Sequence, residues 1–125
     1  MCVPANEWKP ENFQIIDNCI MLVKPINGIT KITLPAAKLM PWQDALYHAY
    51  SLEKRGDWKI PKIDELQTIL KIYGIMQINN KLKEAVWSLT TYSIYDTFAE
   101  TLDFASKQVA PKDKNESLEV ICIHY

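Results

Sequence analysis

Only three glycines occur in the 125 residues, at positions 28, 56 and 74, too far apart to build a loop that cradles phosphate. Nucleotide binding through such a loop is thereby excluded. Histidine is scarcer still, with His48 and His124 alone. The three cysteines, Cys2, Cys19 and Cys122, show no metal-ligand spacing, and one is left over if two combine. Set in apolar runs, Cys19 and Cys122 read as buried free thiols that pack as small hydrophobes. The net charge of −1 removes the electrostatic case for nucleic acid, which needs a basic face. Lys54, Arg55, Lys59 and Lys62 do cluster, but Glu53, Asp57, Asp64 and Glu65 are interleaved with them, as on a solvated mixed-charge face. No apolar stretch has the length of a membrane span. Residues 1–10 lack the basic and apolar regions of a signal peptide, which leaves two readings, a cytoplasmic chain or one whose leader has been removed.

What the chain does contain is enough apolar material for one folded domain, with 48% hydrophobic and 23% charged residues. Two prolines and few apolar groups mark residues 1–12 as an extended tail, and residues 13–125 as the domain. The runs 13–16 and 19–23 flank Asp17-Asn18, a two-residue turn signal, and predict a hairpin. A second turn follows at Pro25-Ile26-Asn27-Gly28. Residues 29–34 then alternate apolar and polar side chains, as in a half-buried strand.

Trp42, Ala45, Leu46, Ala49 and Leu52 recur at helical spacing and predict a helix over 41–52, opened by Pro41 and closed by Lys54-Arg55-Gly56. A second helix is predicted over 63–73, with Ile63, Leu66, Ile69, Leu70 and Tyr73 inward and Gly74 as its stop. Pro61 holds Ile60 out of helical geometry and so sharpens the start. Lys62 falls at the N-cap with Glu65 three residues on, giving half a capping box, because lysine has no acceptor. Polar residues 75–84 follow, with room for a short helical turn. Strands are expected at 85–90, 98–104, 107–110 and 118–124, with a charged loop over 111–117. Strands, two helices, then strands again describe an α+β domain.

Five short segments carry a family resemblance. They are Pro41-Trp42-Gln43-Asp44-Ala45, the stretch from Asp57 through Trp58, Pro61 and Glu65 to Leu66, Val86-Trp87-Ser88-Leu89-Thr90, Leu102-Asp103-Phe104-Ala105-Ser106, and Val120-Ile121-Cys122-Ile123-His124. In this order they resemble the DUF1566 family, also called the Lcl C-terminal domain family, across residues 19–125. The resemblance implies a C-type-lectin-like fold shared with formylglycine-generating enzymes, in which two helices flank a small twisted antiparallel sheet and the first and last strands pair. It implies that Trp42, Trp58, Pro61, Glu65, Trp87 and Cys122 are scaffold. It further implies that Cys19 and Cys122 sit in neighbouring strands, bonded or as two buried thiols, and that the protein is secreted or surface-associated. The sequence departs from the family pattern at Pro41 and Lys62, which replace capping threonines, and at Ile121 and His124, which replace arginines.

The formylglycine-generating cysteine pair has no motif match here, and the sugar-binding Glu-Pro-Asn and Trp-Asn-Asp signatures of calcium-dependent lectins are absent. Asp96, Glu100 and Asp103 offer oxygen ligands without calcium-loop spacing, so neither a metal nor another cofactor is expected. A reactive cysteine needs an electropositive, partly open setting, whereas Cys122 and His124 lie in an apolar strand. Tyr92, Tyr95, Asp96 and Phe98 differ, because aromatics among small polar neighbours have the composition of a recognition surface. The expected function is therefore non-enzymatic recognition or adhesion, with a protein or glycan ligand at residues 93–98 beside the 107–117 loop. Two alternatives remain beside it: a structural or phage-associated display component, and a cysteine-dependent enzyme using Cys122. The sequence does not define the oligomeric state.

Overall fold

The computed structural model describes residues 8–52, 57–78, 81–91 and 97–125. Two helices and eight strands follow in the expected α+β order: β1 (Phe13–Ile16), β2 (Cys19–Ile26), β3 (Ile29–Thr33), α1 (Trp42–Ser51), β4 (Trp58–Lys59), α2 (Ile63–Met76), β5 (Val86–Thr91), β6 (Phe98–Asp103), β7 (Gln108–Asp113) and β8 (Ile123–His124). They form two antiparallel sheets rather than the single sheet expected: five strands in the order β1-β2-β3-β8-β4, and three in the order β5-β6-β7. The last strand pairs with β3 and β4, not with the first, which corrects the pairing implied by the resemblance.

Local chemistry sets the hairpins. Asp17 and Asn18 adopt φ of 53° and 63°, and Asn27 and Gly28 adopt 51° and 84°, so both two-residue loops have the left-handed pairs that match strand twist. The φ of 84° at Gly28 is a conformation that residues with a Cβ rarely adopt, which favours glycine there. β2 runs on to Ile26, through Pro25, with its register shifting between Met21 and Ile26.

The run Leu118–Ile123 is the structural centre. Leu118, Val120 and Cys122 join one core with Ala45 and Ala49 of α1, while Ile121 and Ile123 join the other with Leu66, Ile69 and Ile72 of α2. Helices therefore cover both faces of this run, and, Glu119 apart, its side chains alternate between two apolar interiors. That explains a nearly continuous apolar sequence, since burial on both sides erases polar alternation. Only Ile123 and His124 pair as a regular strand, shorter than the expected 118–124. Upstream, the run bridges Met40 through Leu118 and, in parallel, Val86 through Glu119, tying the second sheet to the first.

Several boundaries differ from expectation. α2 passes through Gly74 to Met76 and ends at Gln77, whose φ of 59° supplies the left-handed cap. β7 extends across Pro111 to Asp113, where a loop was expected; β7 lies at the sheet edge, so the missing N–H breaks no ladder. The tail is not extended throughout: Pro10–Asn12 form a 3-10 turn, buried Asn12 donates to Lys24 O at 2.9 Å, and Trp8 packs against the α2-side core under Lys71. The expected close of α1 at Lys54-Arg55-Gly56 lies outside the described residues.

Candidate functional site

Tyr92, Tyr95 and Asp96 lie outside the described residues, which leaves Phe98 as the placed member of the expected surface. Phe98 opens β6 opposite Asp113 and is 45% exposed. It forms one wall of a 450 Å³ depression with Pro111, Lys112, Asp113, Asn115 and Glu116. The turn beneath it is well tied. Asp113 accepts the Asn115 N–H on Oδ1 and the Glu116 N–H on its carbonyl, both at 2.9 Å, and Lys114 N–H donates to Thr97 O at 2.8 Å. The Lys114 carbonyl accepts the first N–H of α1, from Trp42, and its ammonium lies 4.2 Å above the Trp42 ring. Only part of the expected neighbouring loop adjoins Phe98. Residues 111–116 do, but Lys107 sits at the far end of the β6–β7 hairpin, where its N–H donates to Asp103 O.

The motif residues make contacts within the fold. Trp87 is fully buried and its indole N–H donates to Met40 O at 2.8 Å, while the Trp42 indole donates to Ser88 O at 2.8 Å. These two bonds cross-stitch the start of α1 to β5. Trp58 packs edge-on to His124, with ring centroids 5.2 Å apart. The Pro61 carbonyl accepts from Leu89 N–H at 2.8 Å. Glu65 accepts the Lys62 N–H at 2.9 Å and also the Tyr125 hydroxyl. The acceptor that lysine cannot supply comes instead from β5, where Thr90 Oγ1 takes the Ile63 N–H at 3.2 Å.

Cys122 has no accessible surface, and burial pushes its thiol up to about 12 despite an opposing hydrogen bond with Thr33. Burial raises the Cys19 thiol as well, partly offset by Lys31. Both thiols are free. Cys19 pairs with Thr33, and Thr33 exchanges bonds with Cys122 on its other side, so β3 stands between the two cysteines. Two inter-strand spacings separate their Cα atoms by roughly 9–10 Å, beyond the ~7 Å reach of a disulfide. The implied neighbouring-strand placement is corrected accordingly. Among the described residues, no group of three or more His, Cys, Asp or Glu is placed to hold a metal ion.

A larger feature went unnoticed in the sequence. A 750 Å³ cleft lies between the segment 34–39 and the segment 81–84, with Glu119 among its lining residues. Glu119 is only 5% exposed. Its Oε2 accepts N–H groups from Lys83 and Glu84 at 2.7 and 3.3 Å. Its charge, after burial, also helps raise the Tyr73 phenol, whose hydroxyl donates to Thr33 O at 3.0 Å. One signal was available: a carboxylate interrupting the apolar run 118–123.

No protein-family model and no curated protein matches the chain. Among solved structures it is similar to the crystal structure of EMS16, an antagonist of the collagen receptor integrin alpha2beta1. The TM-score is 0.50 at 10% identity, over 91% of this chain and 96% of that one. At that identity the likeness concerns the fold alone.

Proposed function

We propose that this chain is a non-enzymatic recognition module of C-type-lectin-like architecture, a divergent relative of the DUF1566 family that binds a protein or glycan at the Phe98 end of the β6–β7 hairpin. The observation that carries this reading is the setting of Phe98, an exposed aromatic ring over a polar depression whose turn is tied to α1 through Lys114. A rigid aromatic with polar neighbours presents contact area at little entropic cost on binding. The fold likeness to EMS16, itself an integrin antagonist, accords with a binding role. Enzymatic use of Cys122 has little support, because a nucleophilic thiol needs access and a lowered pKa, and Cys122 has neither.

Labelled protein applied to a polysaccharide array and an immobilised protein array tests the reading. Binding to at least one probe is expected, with a loss of about tenfold in Phe98→Ala, in the range for an aromatic contact residue. Equal binding by the variant removes this surface from consideration.

A further inference from the structure

Glu119 carries more capacity than its structural role uses. Its backbone is satisfied on both sides, by Ala85 O and Trp87 N–H at 3.0 Å each. Its Oε2 accepts the Lys83 and Glu84 N–H groups of the 81–84 segment. The other oxygen, Oε1, accepts no hydrogen bond from any described residue, although the side chain is 5% exposed and lines the cleft. Oε1 is not among the buried polar atoms that lack a partner, so it is open to the cleft, where a charged donor could take the place of water.

The surroundings say which donor. Leu34, Pro35, Ala36 and Leu39 make one side of the cleft apolar. Lys81, Lys83 and Glu84 also line it, all three exposed, and the two lysines form no ion pair with any described residue. A plain amine would meet these lysines as like charges, and a plain carboxylic acid would meet Glu119. A molecule with an ammonium for the floor, a carboxylate for the rim and an aliphatic body for the wall meets all three. The 750 Å³ volume lies within the range of small-molecule sites.

We propose that this cleft binds an aliphatic amino-acid zwitterion, its ammonium donating to Glu119 Oε1 and its carboxylate facing Lys81 and Lys83. The site is separate from the Phe98 surface, so the two readings stand or fall apart.

Titration calorimetry with leucine, 3-methylbutylamine and 4-methylpentanoate tests the assignment. Leucine is expected to bind, and each single-charge analogue to bind at least about tenfold more weakly, as loss of one charge-assisted contact entails. Glu119→Gln keeps an oxygen for the two N–H groups and should weaken leucine by a similar factor. Lys83→Ala should weaken leucine while improving binding of the amine. No heat from leucine at millimolar concentration, or undiminished affinity in Glu119→Gln, overturns the proposal. Should that variant not fold, amide shifts on the wild-type chain decide. Leucine-induced changes at Ala36, Lys83 and Glu84 support the site, and changes confined elsewhere sink it.

Discussion

Thr90 does for α2 what a capping residue ordinarily does from inside the helix. Its Oγ1 accepts the Ile63 N–H from another element, so a cap missing at Lys62 is provided across the fold. Thr90→Val keeps the shape, deletes the acceptor, and should lower unfolding free energy by about 1 kcal/mol in urea titrations. Titration gives a second residue-scale test. Burial first, then Glu65, pushes the Tyr125 phenol from its ordinary 10.0 up to about 12, and burial raises the Cys122 thiol from 9.0 to about 12. Both groups fold in their protonated forms. Their contribution is complete below the unfolded pKa values and lost as pH rises towards the folded ones. The urea midpoint should therefore fall from about pH 9 upward, and Cys122→Val should soften the onset of that fall. Iodoacetamide should leave Cys122 unmodified in the native protein and label it after denaturation, as read by intact mass.

Among the elements, the first hairpin was the most legible in sequence, because Asp17-Asn18 specifies a left-handed turn by its own chemistry, whereas the second turn, expected over 25–28, is confined to Asn27-Gly28 because β2 runs on to Ile26. Helix α1 was legible from its apolar spacing, with both bounds within one residue of expectation. The end of α2 was not legible, because Gly74 signals a stop whereas Ile75 and Met76 still pack against the α2-side core. Burial outweighed the local preference. β4 escaped notice because its two residues become a strand only by pairing with β8. Glu119 escaped for a related reason: its role depends on N–H groups from residues 83 and 84, which no spacing rule connects to it. The crossed indole bonds between α1 and β5 offer a test at this scale. Trp42→Phe retains the aromatic packing, removes the donor to Ser88 O, and should cost about 1–3 kcal/mol in chemical unfolding.

For the molecule as a whole, the two apolar interiors share one wall, the run Leu118–Ile123. Neither interior is complete without it, so heat and denaturant should unfold both together. Fluorescence of the tryptophans and far-ultraviolet circular dichroism should give coincident transitions. Val120→Ala creates a cavity on the α1 side only, yet should shift both probes equally, by about 1–3 kcal/mol.

The same run has a consequence for synthesis. Residues 118–123 follow every other strand and helix in chain order except β8, yet they sit at the middle of the structure. A ribosome that has delivered both helices and seven strands still holds the wall on which they must assemble. Until that stretch leaves the exit tunnel, the apolar faces of α1 and α2 have no common surface to close against. Closure of both interiors therefore waits on the last-made part of this domain, and until then the apolar faces of α1 and α2 stay open to non-native contacts.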